Sequence, residues 1–102
     1  IEILEVEVIK QPGNAYVNKE FIYSVSKSDN IEKATKQFYK SSKTIKENPY
    51  NAENCYNIMQ YYYNQKDTKN FMIWYDELTN WPINNEQIKK YADEMKNDLK
   101  LK

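Results

Sequence analysis

Apolar residues recur along most of the chain at intervals of three and four. Ile31, Ala34, Thr35, Phe38, Ser42 and Ile45 fall on one face of a helix from about 31 to 47. Cys55, Ile58, Met59 and Tyr62 mark a second from about 52 to 64, and Phe71, Trp74, Tyr75 and Leu78 a third from about 68 to 79. Ile88, Tyr91, Ala92, Met95 and Leu99 mark a fourth from about 85 to 100. The spacing i, i+3, i+4, i+7 is that of a helix with one buried face, and packing between helices is the simplest use of such stripes. Polar runs separate them. Ser28-Asp29-Asn30 and Lys66-Asp67-Thr68 read as turns, and Asp29 with Glu32 three residues on reads as a capping box.

The first 26 residues fit two patterns. Residues 1–9 alternate well enough for a strand, with a phase slip at Ile3-Leu4, and Phe21, Tyr23 and Val25 alternate as well. A hairpin of 2–9 with 20–26 is one outcome. The helical one puts Ile1, Leu4 and Val8 on one face, then Phe21, Ile22 and Val25 on the face of the next helix.

The prolines decide between them. Pro-x-Asn occurs at Pro12-Gly13-Asn14, Pro49-Tyr50-Asn51 and Pro82-Ile83-Asn84, spaced by 37 and 33 residues, and these hold every proline in the chain. A proline can end one helix, and an Asn two residues on can cap the next. Between prolines the pattern repeats: Ala34 and Phe38 stand as far from Pro12 as Phe71 and Tyr75 stand from Pro49. Each interval then holds two helices and a short turn, which extends the helical pattern to the N-terminus.

This arrangement resembles the tetratricopeptide repeat, a helix-turn-helix unit of 34 residues that ends in Pro-x-Asn or Pro-x-Asp. Residues 15–48 resemble one repeat, 52–81 a second, 85–100 a capping helix, and 1–11 the tail of a preceding helix. Ala34, Phe38, Tyr62 and Ala92 match the family's small and aromatic positions. Ile22 and Met59 stand where a small residue is usual, and Phe71 replaces an Ala. The resemblance implies an all-α chain, a short α-solenoid of antiparallel helix hairpins. It also implies a groove lined by the first helix of each repeat that takes a peptide or a partner helix. Mapped from each proline, the groove residues are Tyr16, Lys19, Tyr23 and Lys27, then Glu53, Tyr56, Gln60 and Tyr63, with Lys89 from the last helix. The family's clamp for a carboxylate tail is matched at Lys19, Asn57 and Lys90 and broken at Tyr23 and Glu86. The weaker resemblance is to the pentatricopeptide repeat, which binds RNA.

Composition narrows the function. Fifteen Lys oppose fifteen Asp plus Glu, and Arg and His are absent. A neutral chain without Arg lacks the field and the bidentate donor that favour nucleic acid, so a single-stranded RNA binder using Tyr stacking stands as the alternative. Without His there is no Ser-His or Cys-His pair and no Cys/His zinc site. Cys55, on an apolar face, is expected to be an inert core thiol, and no set of carboxylates reads as a metal cage. The chain is therefore expected to be no enzyme and to need no cofactor. The expected function is a protein–protein interaction module, a scaffold or a subunit of a larger assembly. A secreted or surface domain with an N-terminal β-hairpin beside a helical bundle is the other alternative. No stretch has the length of a membrane span. The single Cys leans towards the cytoplasm, and a start at Ile1 suggests a processed or truncated form. The abundance of Lys, Asn, Ile and Tyr against four Leu fits an AT-rich genome. Tyr61-Tyr62-Tyr63 sweeps most of a helical turn, so at least one of these rings must face a groove or solvent.

Overall fold

Burial around Phe21 separates helix from strand in the N-terminal third. Phe21, Ile22 and Val25 are buried while Tyr23 is 47 % exposed, which is the i, i+1, i+4 pattern of a helix. A strand would have placed Phe21, Tyr23 and Val25 on one side. The computed structural model describes residues 2–28, 30–45, 47–82 and 86–100, the side chains of 2–4 excepted. Among these residues it is all-α, with α1 (Glu2–Lys10), α2 (Ala15–Lys27), α3 (Ile31–Thr44), α4 (Asn51–Asn64), α5 (Thr68–Leu78) and α6 (Glu86–Asp98). The N-terminal β-hairpin is thus overturned. Val8 of α1 is buried in the core, and Lys33 of α3 reaches back to Glu5 at 2.7 Å.

The turn chemistry explains where the helices stop. At the end of α4, Asp67 N–H donates to Tyr62 O and Lys66 N–H to Tyr63 O, both at 3.0 Å. This Schellman pair satisfies carbonyls the helix would leave open, with Lys66 in the left-handed region at φ 55. Asn30 N–H likewise donates to Val25 O at the end of α2. The first Pro-x-Asn works as expected: Asn14 caps α2, its side chain accepting from Val17 N–H at 3.1 Å. The second works differently. Asn48 Oδ1 accepts from Tyr50 N–H at 2.9 Å, so the turn closes one residue early and Tyr50, not Asn51, takes the cap position. Asn84 and Asp29 lie outside the described residues; Asn30 stands at the α3 cap without a side-chain cap bond.

α2 packs on both α3 and α4, α4 on α5 and α6, and α1 on α2. The three-residue links α2–α3 and α4–α5 fold each pair back on itself. The result is elongated, 42 × 26 × 19 Å, with a radius of gyration of 13.2 Å. One core runs through it. Phe38 of α3 meets the edges of Trp74 and Trp81 at 5.2 and 6.3 Å between ring centres, and Phe71 stacks on Tyr75 at 6.2 Å. Ile22, Met59 and Phe71, bulky where the resemblance expects small residues, are fully buried, so their volume is absorbed by the core. Tyr91 departs from its stripe: it is 44 % exposed while Ile88 and Ala92 are buried.

Candidate functional site

The α2 residues that the sequence assigns to a groove lie at the surface. Tyr16 is 56 % exposed, Tyr23 and Lys27 are exposed, and Lys19 is half-buried. Lys19 Nζ sits over the rings of Tyr16 and Tyr50 at 4.6 and 4.9 Å, and near Glu20 at 3.5 Å. Such a cation is held by ring quadrupoles as much as by charge. Lys27 lies over Tyr23 at 5.5 Å and donates to Gln60 Oε1 of α4 at 3.2 Å. Between the two helices, Lys19, Glu20, Tyr23, Glu53 and Asn57 line a cleft of about 190 Å³. Six of the nine sequence-derived residues, Tyr16, Lys19, Tyr23, Lys27, Glu53 and Gln60, are tied together by these contacts or by the cleft.

Tyr56 and Tyr63 open instead onto a second cleft, of about 410 Å³, between α4 and α6. Its other walls are Tyr91, Glu94, Met95 and Asp98. Tyr63 donates its phenol hydrogen to Asp98 Oδ2 at 2.7 Å, and that bond pushes the Tyr63 phenol above its ordinary value. Burial, followed by the neighbouring Tyr91 and Glu94, pushes the Tyr56 phenol up as well. Both rings are therefore neutral at physiological pH. The third ring of the triplet's neighbourhood, Tyr62, packs against the core, and Tyr61 meets it edge-on at 5.2 Å. The triplet is thus divided between core rim and cleft.

Lys89 is placed elsewhere. It donates to Tyr75 Oη of α5 and to Asp93 Oδ1, both at 2.9 Å, and Tyr75 donates to the same Asp93 oxygen. Lys96 stands over the Tyr75 ring at 4.8 Å. The Asp93 bond is the main cause that raises the Lys89 ammonium, and the Lys89 bond the main cause that holds the Asp93 carboxyl low. Counting from Pro82 selected the α5 side of α6, whereas the side that meets Tyr56 and Tyr63 carries Tyr91, Glu94 and Asp98. The hydrophobic pattern assigned Tyr91 to the core.

Two other features lie apart from these clefts. A cleft of about 900 Å³ forms where the α3–α4 and α5–α6 connections meet, walled by Ile45, Pro49, Trp81, Asn48 and Asn51 among others. Cys55 is fully buried, and burial, with Glu77 second, pushes its thiol far above the ordinary value; a thiol so placed is a poor nucleophile. Among the described residues no group of three or more Asp, Glu or Cys gathers as a metal set, and no helix is long and apolar enough to cross a membrane. Comparison with protein-family models, curated proteins and solved structures found no match.

Proposed function

We propose that the chain is a protein-interaction module built as a short stack of tetratricopeptide-like hairpins, acting as a scaffold or a subunit of a larger assembly. The observation that carries this reading is the row α2, α4, α6. These helices pack side by side, and their outer side leaves Tyr16, Tyr23, Tyr56, Tyr63 and Tyr91 exposed or half-buried beside Lys, Glu and Gln. In a solenoid the first helices of successive hairpins are expected in this relation. Tyrosines that bury a ring while keeping a wet hydroxyl are suited to anchor a partner. α1 supplies the tail of a preceding hairpin and α6 the cap.

The test is a selection from a random displayed peptide library against the whole chain. A recurrent peptide motif is expected, with affinity about tenfold weaker, ~1.4 kcal/mol, for Tyr56→Ala or Tyr23→Ala. Circular dichroism should remain that of the parent. No enriched motif, or binding indifferent to both substitutions, would remove the groove from consideration.

A further inference from the structure

We propose that the cleft between α4 and α6 is a subsite for an organic cation, the lysine or arginine side chain of the polypeptide that lies in the groove. This rests on the groove reading and specifies what one part of it takes. The walls carry the argument. Three tyrosines, a thioether and two carboxylates line about 410 Å³, and the six are Tyr56, Tyr63, Tyr91, Glu94, Met95 and Asp98. Ring faces and carboxylates attract the same sign of charge, and no basic side chain is among the lining residues.

The chain's own lysines show what its tyrosines do when a cation is within reach. Lys19 lies over Tyr16 and Tyr50, Lys27 over Tyr23, and both Lys89 and Lys96 over Tyr75. Tyr56, Tyr63 and Tyr91 have no such contact among the described residues. The last helix separates its charges: Lys89 and Lys96 turn to α5, leaving Glu94 and Asp98 on the side of α4. The Tyr63–Asp98 hydrogen bond fixes one ring and one carboxylate relative to each other, so part of the wall is organised before anything binds. A volume of this size is within the range of side-chain and small-ligand pockets. A carboxylate-ended ligand would meet two acids there. A neutral aliphatic side chain would gain the rings but leave both carboxylates without a counter-charge.

The probes are Nα-acetyl-lysine amide and Nα-acetyl-arginine amide, with Nα-acetyl-norleucine amide and Nα-acetyl-glutamate amide as controls of matched size. The readout is the shift of the Met95 methyl and the Tyr91 ring in nuclear magnetic resonance titrations of the whole chain at low salt. Saturable shifts with the two cations and none with the controls are expected. The double substitution Glu94→Gln with Asp98→Asn, which keeps size and shape, should weaken them about tenfold. Equal shifts with norleucine amide, shifts with glutamate amide, or cation binding unchanged in the double variant would overturn the proposal, as would no shift up to tens of millimolar. The two readings fail separately. Selected peptides that depend on Tyr56 yet carry no basic residue keep the groove and sink the cation subsite. Cation shifts without any selected peptide keep the subsite and sink the groove.

Discussion

Two asparagines buried on neighbouring helices should respond to the same substitution with opposite sign. Asn18 of α2 and Asn54 of α4 are both wholly inaccessible. Asn18 is fully employed: its Nδ2 donates to Pro12 O at 3.3 Å and Asn14 O at 2.8 Å, and its Oδ1 accepts from Gln37 Nε2. Neither amide atom of Asn54 meets a partner. A buried polar group left unpaired costs about 1–3 kcal/mol, so two such atoms cost at least about 2 kcal/mol. Asn54→Leu removes both and keeps the volume near constant, at a shape cost of up to about 1.5 kcal/mol. The expected balance is a gain of about 1 kcal/mol, a rise in Tm of roughly 4–8 °C for a domain of this size. Asn18→Leu strips three hydrogen bonds and leaves Gln37 without its acceptor, a loss of about 2 kcal/mol. Urea unfolding followed by circular dichroism at 222 nm reads both. If Asn54→Leu lowers stability as much as Asn18→Leu, the Asn54 amide is satisfied in solution and the reasoning from its pairing fails.

Lys66 occupies the left-handed position of the α4 terminus, which costs an L-residue about 1–2 kcal/mol. Lys66→Gly should relieve that, less the entropy glycine adds to the unfolded chain, for a net gain of about 0.5–1 kcal/mol in the free energy of urea unfolding; Lys36→Gly within α3 should instead lose about 1 kcal/mol. Asp67 caps α5, and its carboxyl is held below the ordinary value first by the Asn70 side chain and then by Asn70 N–H. Because the folded value is depressed, its contribution is complete above the unfolded value of about 3.9 and is lost as pH falls through the folded one. The gap in urea midpoint between the parent and Asp67→Asn should therefore narrow below about pH 4, and parallel curves down to the acid transition would contradict this.

The helical stripes were legible because burial repeats at the period of the helix. Phe71, Trp74, Tyr75 and Leu78 are buried to the last member, and the ends of α3 to α6 fall within three residues of the boundaries read from spacing. The N-terminus was ambiguous because Phe21-Ile22-Tyr23 satisfies both periods until one knows that Ile22 is inside. The second Pro-x-Asn misled for a local reason. Asn48 precedes Pro49 and captures Tyr50 N–H, a competing turn that a proline-counting rule does not weigh. On the candidate site, counting from proline chose residues of α2 and α4 at the surface or on a cleft wall: Tyr16 and Tyr23 are exposed, and Tyr56 and Tyr63 line the cleft between α4 and α6. On α6 it chose Lys89, which turns to Tyr75 of α5 and not to that cleft. A phenol from a different helix, far away in sequence, is invisible to spacing.

That tertiary contact makes Tyr75 a link between the core and α6. Its ring is 91 % buried against Phe71 while its hydroxyl gathers Asp93 and Lys89. With those groups drawn to α5, Tyr91, Glu94 and Asp98 are left on the side of α4, where the cleft lies. Tyr75→Phe keeps the ring and its packing but releases Asp93 and Lys89. Both partners are nearly half exposed, so water replaces most of what is lost, and the net cost is about 1 kcal/mol. That corresponds to roughly fivefold more frequent opening of α6. Hydrogen exchange should show Ile88 and Ala92 amides less protected by about that factor, with Ile22 and Val25 of α2 unchanged. Equal loss across α2 and α6 would mean that Tyr75 supports the whole stack through packing alone. Unchanged α6 protection would mean that the facing of this helix is set by Ile88 and Ala92 in the core, and that its polar contacts follow the packing instead of directing it.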